Sequence, residues 1–240
     1  MQFTRRAVTI AIVATFVLIP GRSLRGTAAQ EATPTRTYGC ESTMTASPMA
    51  GMEGMAMSTP AMGAEQSMEF DQLYIDMMIP HHESIIALAQ AARDRLTDER
   101  LVAITENIIS SQQAEIEELR GLREQWYGSP EPMPMDGAMM GMMAQQMPGM
   151  GDMDAMMTQM NPEALVAMFC AGEDPDLTFI DLTIPHHEMA IRASEAARER
   201  ATHEEIRTIA ERVIADQQRE IDALEAIRAE LAGEGTPTGE

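Results

Sequence analysis

Positive charge is scarce in this chain. Seventeen basic residues stand against 38 acidic ones, a net charge of −21, so a nucleic-acid backbone or an anionic membrane surface is repelled and cations are the natural partners. A membrane-spanning stretch is missing as well: the apolar run from Ala7 to Pro20 has about fourteen residues where a spanning helix needs about twenty. With Arg5 and Arg6 before it and the small residues Thr27, Ala28 and Ala29 after it, that run reads as a signal peptide over 1–29, and the exported chain keeps no stable membrane span. Cysteine is limited to Cys40 and Cys170, which after export either form one disulfide or stay as two free thiols or soft metal ligands. Nowhere does the Glu-x-x-His spacing of a di-iron carboxylate centre occur. No nucleophile stands at a recognisable distance from a base, so an enzyme is not expected.

What the chain does contain is a duplication. With a constant offset of 105 residues, Asp71–Gly128 aligns on Asp176–Gly233 without a gap, and 25 of the 58 paired positions are identical. Each copy is then one supersecondary unit that cannot bury its apolar face alone, so the two copies are expected to pack on each other. In the first copy Ile75, Met78, Ile79, His82, Ile86 and Ala89 recur at helical spacing, and after a break so do Leu101, Ile104, Ile108, Gln112, Ile116 and Leu119. The second copy repeats the pattern, with its break at Thr202 and a capping-box sequence, Thr202 to Glu205, opening its second helix. Gly128 and Gly233 end the second helices. The expected fold is all-α: an antiparallel four-helix bundle made of two duplicated helical hairpins joined by a long crossover. The domain plan is a signal peptide at 1–29, a Met-rich flexible arm at 30–68, hairpins at 69–128 and 173–233, a Met-rich disordered linker at 129–172, and a flexible tail at 234–240.

Histidine is scarce, yet four of the five histidines stand in two identical "IPHHE" pairs, His81–His82 and His186–His187. Pro80 and Pro185 remove one helix hydrogen bond each, and the unbroken apolar phase argues for helices that run through them. Antiparallel pairing about a turn near residue 97 sets His82 beside Gln112 and His187 beside Gln217, with Glu115 and Glu220 one turn further and Asp76 and Asp181 about a turn and a half below. Two such hairpins offer one site each. Core histidines bonded to glutamine would merely fix register; paired imidazoles are also the usual ligands of copper, zinc and nickel. Methionine decides between these metals. Of 24 methionines, seven lie between Met44 and Met68 and twelve between Met133 and Met160, in segments rich in Gly, Pro and Ala. Met77 and Met78 sit beside the first histidine pair. Thioethers select Cu(I) and imidazoles accept Cu(I) or Cu(II), so both signals point to copper.

The segments "FDQLYIDMMIPHHESIIALAQAA" and "DLTFIDLTIPHHEMAIRASEAA", each followed by "QQxEI", resemble the domain-of-unknown-function 305 family of exported bacterial proteins. That resemblance implies a ferritin-like fold. It also implies copper binding outside the cytoplasm, since some members, the CopM-type proteins, bind copper and contribute to copper tolerance. Carried onto this chain, the metal residues are His81, His82, His186 and His187 with Met78 and Met77. The second copy has Leu182 and Thr183 in place of those methionines, so its site is expected to be harder and weaker. The expected function is buffering, tolerance or delivery of exported copper, with metal ions as partners and a copper-handling protein or a second copy of the chain as macromolecular candidates. The opposing expectation is a non-catalytic bundle with core histidines and no metal.

Overall fold

The computed structural model describes residues 38–43, 68–147 and 153–233. The signal peptide, most of the Met-rich arm and the tail lie outside the described residues. Among the described residues every regular element is a helix: α1 Cys40–Thr43, α2 Phe70–Arg93, α3 Glu99–Tyr127, α4 Gly137–Gln146, α5 Met153–Gln159, α6 Pro162–Ala171, α7 Pro175–Arg200 and α8 Glu204–Leu231. The four long helices α2, α3, α7 and α8 form the ferritin-like antiparallel bundle, with α2 packed on α3, α7 on α8 and α2 on α7. Both α2 and α7 continue through their internal prolines. Leu73, Ile75, Ile79 and Leu88 of α2 are wholly buried, each contributing about 1.5–3 kcal/mol of hydrophobic stabilisation. Gly128, at φ 80°, closes α3 in the left-handed conformation that an L side chain rarely adopts.

The two hairpins dock by a reciprocal contact that follows from the duplication. Asp71, at the start of α2, accepts hydrogen bonds from the Thr202 amide (2.9 Å), the Thr202 hydroxyl (2.7 Å) and the His203 amide (2.8 Å) in the α7–α8 turn. Its copy Asp176, at the start of α7, accepts from the Thr97 amide (2.8 Å) and hydroxyl (2.5 Å) in the α2–α3 turn. Helices α2 and α7 therefore run antiparallel, related by an approximate two-fold axis. The expected capping box does not form. The N-cap of α8 is His203, without a side-chain cap, because Thr202 is already committed to Asp71 of the other hairpin.

These bonds outweigh the burial that would raise the Asp71 pKa and hold it below the usual carboxylate value. A depressed folded pKa stabilises above the unfolded value and loses that contribution as pH falls through the folded one. Asp71→Asn is expected to cost about 2 kcal/mol at neutral pH, a deficit that shrinks below about pH 4 in denaturant titrations run at stepped pH.

The crossover departs from the expected disordered linker over 129–172. Three helices occupy much of it, and Met139, Met140, Met143, Met147, Met156 and Met160 join Met77, Met78 and Met189 in one buried cluster. The physical reason is that methionine is both a good helix former and an adaptable apolar side chain, so a segment poor in aromatics still acquires a face to bury. Asp136 caps α4 through the amides of Ala138 and Met139, and Asn161 caps α6 through Ala164. Helix α6 packs Leu165, Val166 and Phe169 against α2. A disulfide joins Cys40 to Cys170 across 130 residues of sequence, which settles the cysteine alternatives. Replacing both cysteines with serine is expected to lower the unfolding free energy by about 3 kcal/mol in urea titrations, through the closed loop it releases.

Candidate metal centre

The four paired histidines meet at the approximate two-fold axis. His81 of α2 and His186 of α7, which occupy equivalent positions in the repeat, face each other with ring centroids 3.7 Å apart and planes tilted by 34°. Each lies 6.0 or 6.2 Å from its own neighbour, His82 or His187, and all four side chains are fully buried. The two histidine pairs, expected to make one site each, are thus brought together at the axis. Burial, followed by the charges of the other histidines, pushes the pKa of His81 and of His186 well below the ordinary imidazole value. Both rings are neutral at pH 7.

Hydrogen bonds orient three of the rings. His82 Nε2 lies 2.9 Å from Glu115 Oε2 of α3, and His187 Nε2 lies 2.6 Å from Glu220 Oε2 of α8. His186 Nε2 lies 2.9 Å from the Ser84 hydroxyl, whose proton goes to the carbonyl of His81 or Gln159. A neutral ring that donates through Nε2–H keeps a bare lone pair on Nδ1. The Nδ1 atoms of His82, His186 and His187 have no protein partner, and neither nitrogen of His81 has one. Buried polar atoms left unpaired cost about 1–3 kcal/mol each, and such an accumulation calls for an explanation.

Not every expected residue reaches this centre. Gln112 and Gln217 do not partner the histidines: both amides are buried without a partner, and the carboxylates one turn on take the rings. Asp76 is buried and engaged by the Arg123 guanidinium, and Asp181 is exposed and paired with Arg228 at 3.0 Å. Glu115 is also held by Arg212, with Nε 3.2 Å from Oε1. Burial pulls the Glu115 pKa upward, but the bonds from His82 and Arg212 prevail and the carboxyl titrates below its usual range.

Two methionines lie one helical turn from the central pair. Met78 precedes His81 by one helical turn and Met189 follows His186 by one turn, so on antiparallel helices both fall on the same side of the pair, within the buried methionine cluster. Their repeat equivalents, Thr183 and Ser84, place hydroxyls on the other side. Sequence comparison of the repeats noted Thr183 as a loss and overlooked Met189, Ser84 and Arg212. The signal available was the pattern of departures from the repeat. Among the described residues, no three His, Cys, Asp or Glu side chains are grouped closely enough to hold an ion by themselves.

The family model described as Domain of unknown function (DUF305) matches residues 22–123 and again 71–228. The chain belongs to the DUF305 family. The second match spans both hairpins. A solved DUF305 protein of Streptomyces coelicolor shares the fold, with a TM-score of 0.53, 20% identity, and coverage of 72% of this chain and 98% of that one. The chain is also similar to CopM in its Cu(II)-bound form, at 26% identity and a TM-score of 0.49 over 66% of this chain and 95% of CopM. The Cu(I)-bound form of CopM gives 25% identity, the same TM-score, and coverage of 65% and 92%. No curated protein matches. In this DUF305 chain no helix among the described residues is long and apolar enough to cross a membrane.

Proposed function

We propose that the chain is an exported, non-enzymatic copper-binding protein that buffers copper or hands it on outside the cytoplasm. The observation that carries this proposal is the facing pair His81–His186, whose neutral rings have unpartnered nitrogens, with Met78 and Met189 one helical turn away toward one end and Thr183 and Ser84 one turn away toward the other. Neutral imidazole and thioether together suit Cu(I), and neither must lose a proton to bind it. Glu115 and Glu220 orient His82 and His187 as carboxylates orient metal-ligating histidines. Net charge −21 favours cation capture.

A second reading, a bundle whose histidines only fix helix register, draws support from the same Glu–His bonds and from the lack of a three-donor group among the described residues. Anaerobic titration of the mature protein with Cu(I) against a coloured competing chelator separates the two. Tight binding that disappears when the histidines are removed is the expected result, and no binding above that of a denatured control would leave the register reading standing.

A further inference from the structure

The two-fold relation between the hairpins also relates the two ends of the seam between α3 and α8, and those ends differ. At one end Arg212 of α8 reaches across to α3, with Nε 3.2 Å from Glu115 and Nη2 2.5 Å from Glu118. That arginine lies over the carboxylate that holds His82. At the other end, the repeat equivalents of Arg212 and Glu118 are Asn107 and Ala223, which are too short to make the same bridge. There the seam opens into a groove of about 440 Å³ lined by Asn107, Ser110 and Ser111 of α3 and by Asp216, Glu220 and Ala223 of α8. Arg219 stands at its rim, exposed and held by Asp216 at 2.6 Å. On the groove wall is Glu220, the carboxylate that holds His187, and its side chain is 17% exposed against 8% for Glu115. One end of the seam is bolted, and the other is open as far as Glu220, the carboxylate bonded to His187.

We infer that the ion enters and leaves the histidine centre through this open end of the α3–α8 groove, with Glu220 as the last carboxylate before His187 and Arg212 keeping the opposite end shut. The inference rests on the proposal that the histidines bind copper. Hydroxyl, amide and carboxylate oxygens along the wall replace water around a passing cation as far as Glu220.

The test rebuilds the bolt. Asn107→Arg with Ala223→Glu places at the open end the pair that closes the other. Rapid mixing with Cu(I) carried by a coloured chelator is expected to show uptake and release both slowed by about tenfold or more, while equilibrium affinity stays within about twofold because both directions share one route. Adding Arg212→Asn to that variant opens the opposite end and is expected to restore the rates. Wild-type uptake in the bolted variant, or affinity falling in step with rate, would overturn the inference. A metal-free arm keeps it separate from the copper proposal: diethylpyrocarbonate labelling, followed by peptide mass, is expected to modify His187 before His82 in the wild type and to lose that order in the bolted variant. If the wild type binds no Cu(I), the copper proposal fails and the labelling order alone decides whether the groove reaches the histidines; equal labelling of His82 and His187 counts against it.

Discussion

Replacing His81 and His186 together with alanine is expected to weaken Cu(I) binding by at least about a hundredfold while leaving the bundle folded, because the two rings are the only histidines that face each other across the two-fold axis among the described residues. Stability should change little. Both nitrogens of His81 and Nδ1 of His186 are buried without protein partners, so truncation removes unsatisfied groups while it opens space, and the two effects oppose each other. Replacing His82 and His187 instead removes rings anchored to Glu115 and Glu220 and strands two carboxylates, so that variant is expected to lose stability as well as copper. Chelator competition gives the affinities and urea titration the stabilities. Unchanged affinity in a folded His81→Ala/His186→Ala variant would remove the central pair from the metal site.

Much of this arrangement is legible in the repeat. Hairpin limits, the turns at Thr97 and Thr202 and the passage of α2 and α7 through their prolines all follow from apolar phase, because a helix is a local structure whose period is written in consecutive residues. The docking of one hairpin on the other is not local. That His81 meets its own copy, bringing the two histidine pairs together, depends on where the two-fold axis falls, and neither repeat alone records it. The partner of His82 was missed for a smaller reason. Counting residues from the turn pairs Cα positions, whereas a helical side chain leans toward the N-terminus of its helix, which carries the His82 ring toward Glu115 and past Gln112. The methionines of 129–172 were misjudged through composition: Gly, Pro and few aromatics suggest a tether, yet Met139, Met140 and Met143 on α4 form an apolar face as continuous as leucines would. A deletion of Met133–Met160, which would be a clean test of a tether, here strips the core and would unfold the bundle whatever the metal does.

Asp76→Ala is expected to cost about 3–5 kcal/mol, the loss typical of breaking a buried ion pair by removing one partner. Asp76 is wholly buried, and the Arg123 guanidinium engages both of its carboxylate oxygens and donates through Nη1 to the Ser129 carbonyl at 2.6 Å. Its removal strands a buried positive charge whose remaining partner is a neutral carbonyl. The repeat supplies an internal control. Asp181 and Arg228 occupy the equivalent positions, but their side chains are 52% and 55% exposed, so Asp181→Ala is expected to change stability by less than about 1 kcal/mol. The same chemistry at the same place in two copies therefore differs severalfold in energy, with burial as the cause. Replacing Asp76 and Arg123 together with apolar residues of similar volume should recover most of the loss, because no charge is then left behind. The pair also tests the metal assignment: if Asp76 serves the fold and not the ion, the folded double variant binds Cu(I) with wild-type affinity. A fall in affinity at unchanged stability would instead make Asp76 a ligand and Arg123 its counter-ion.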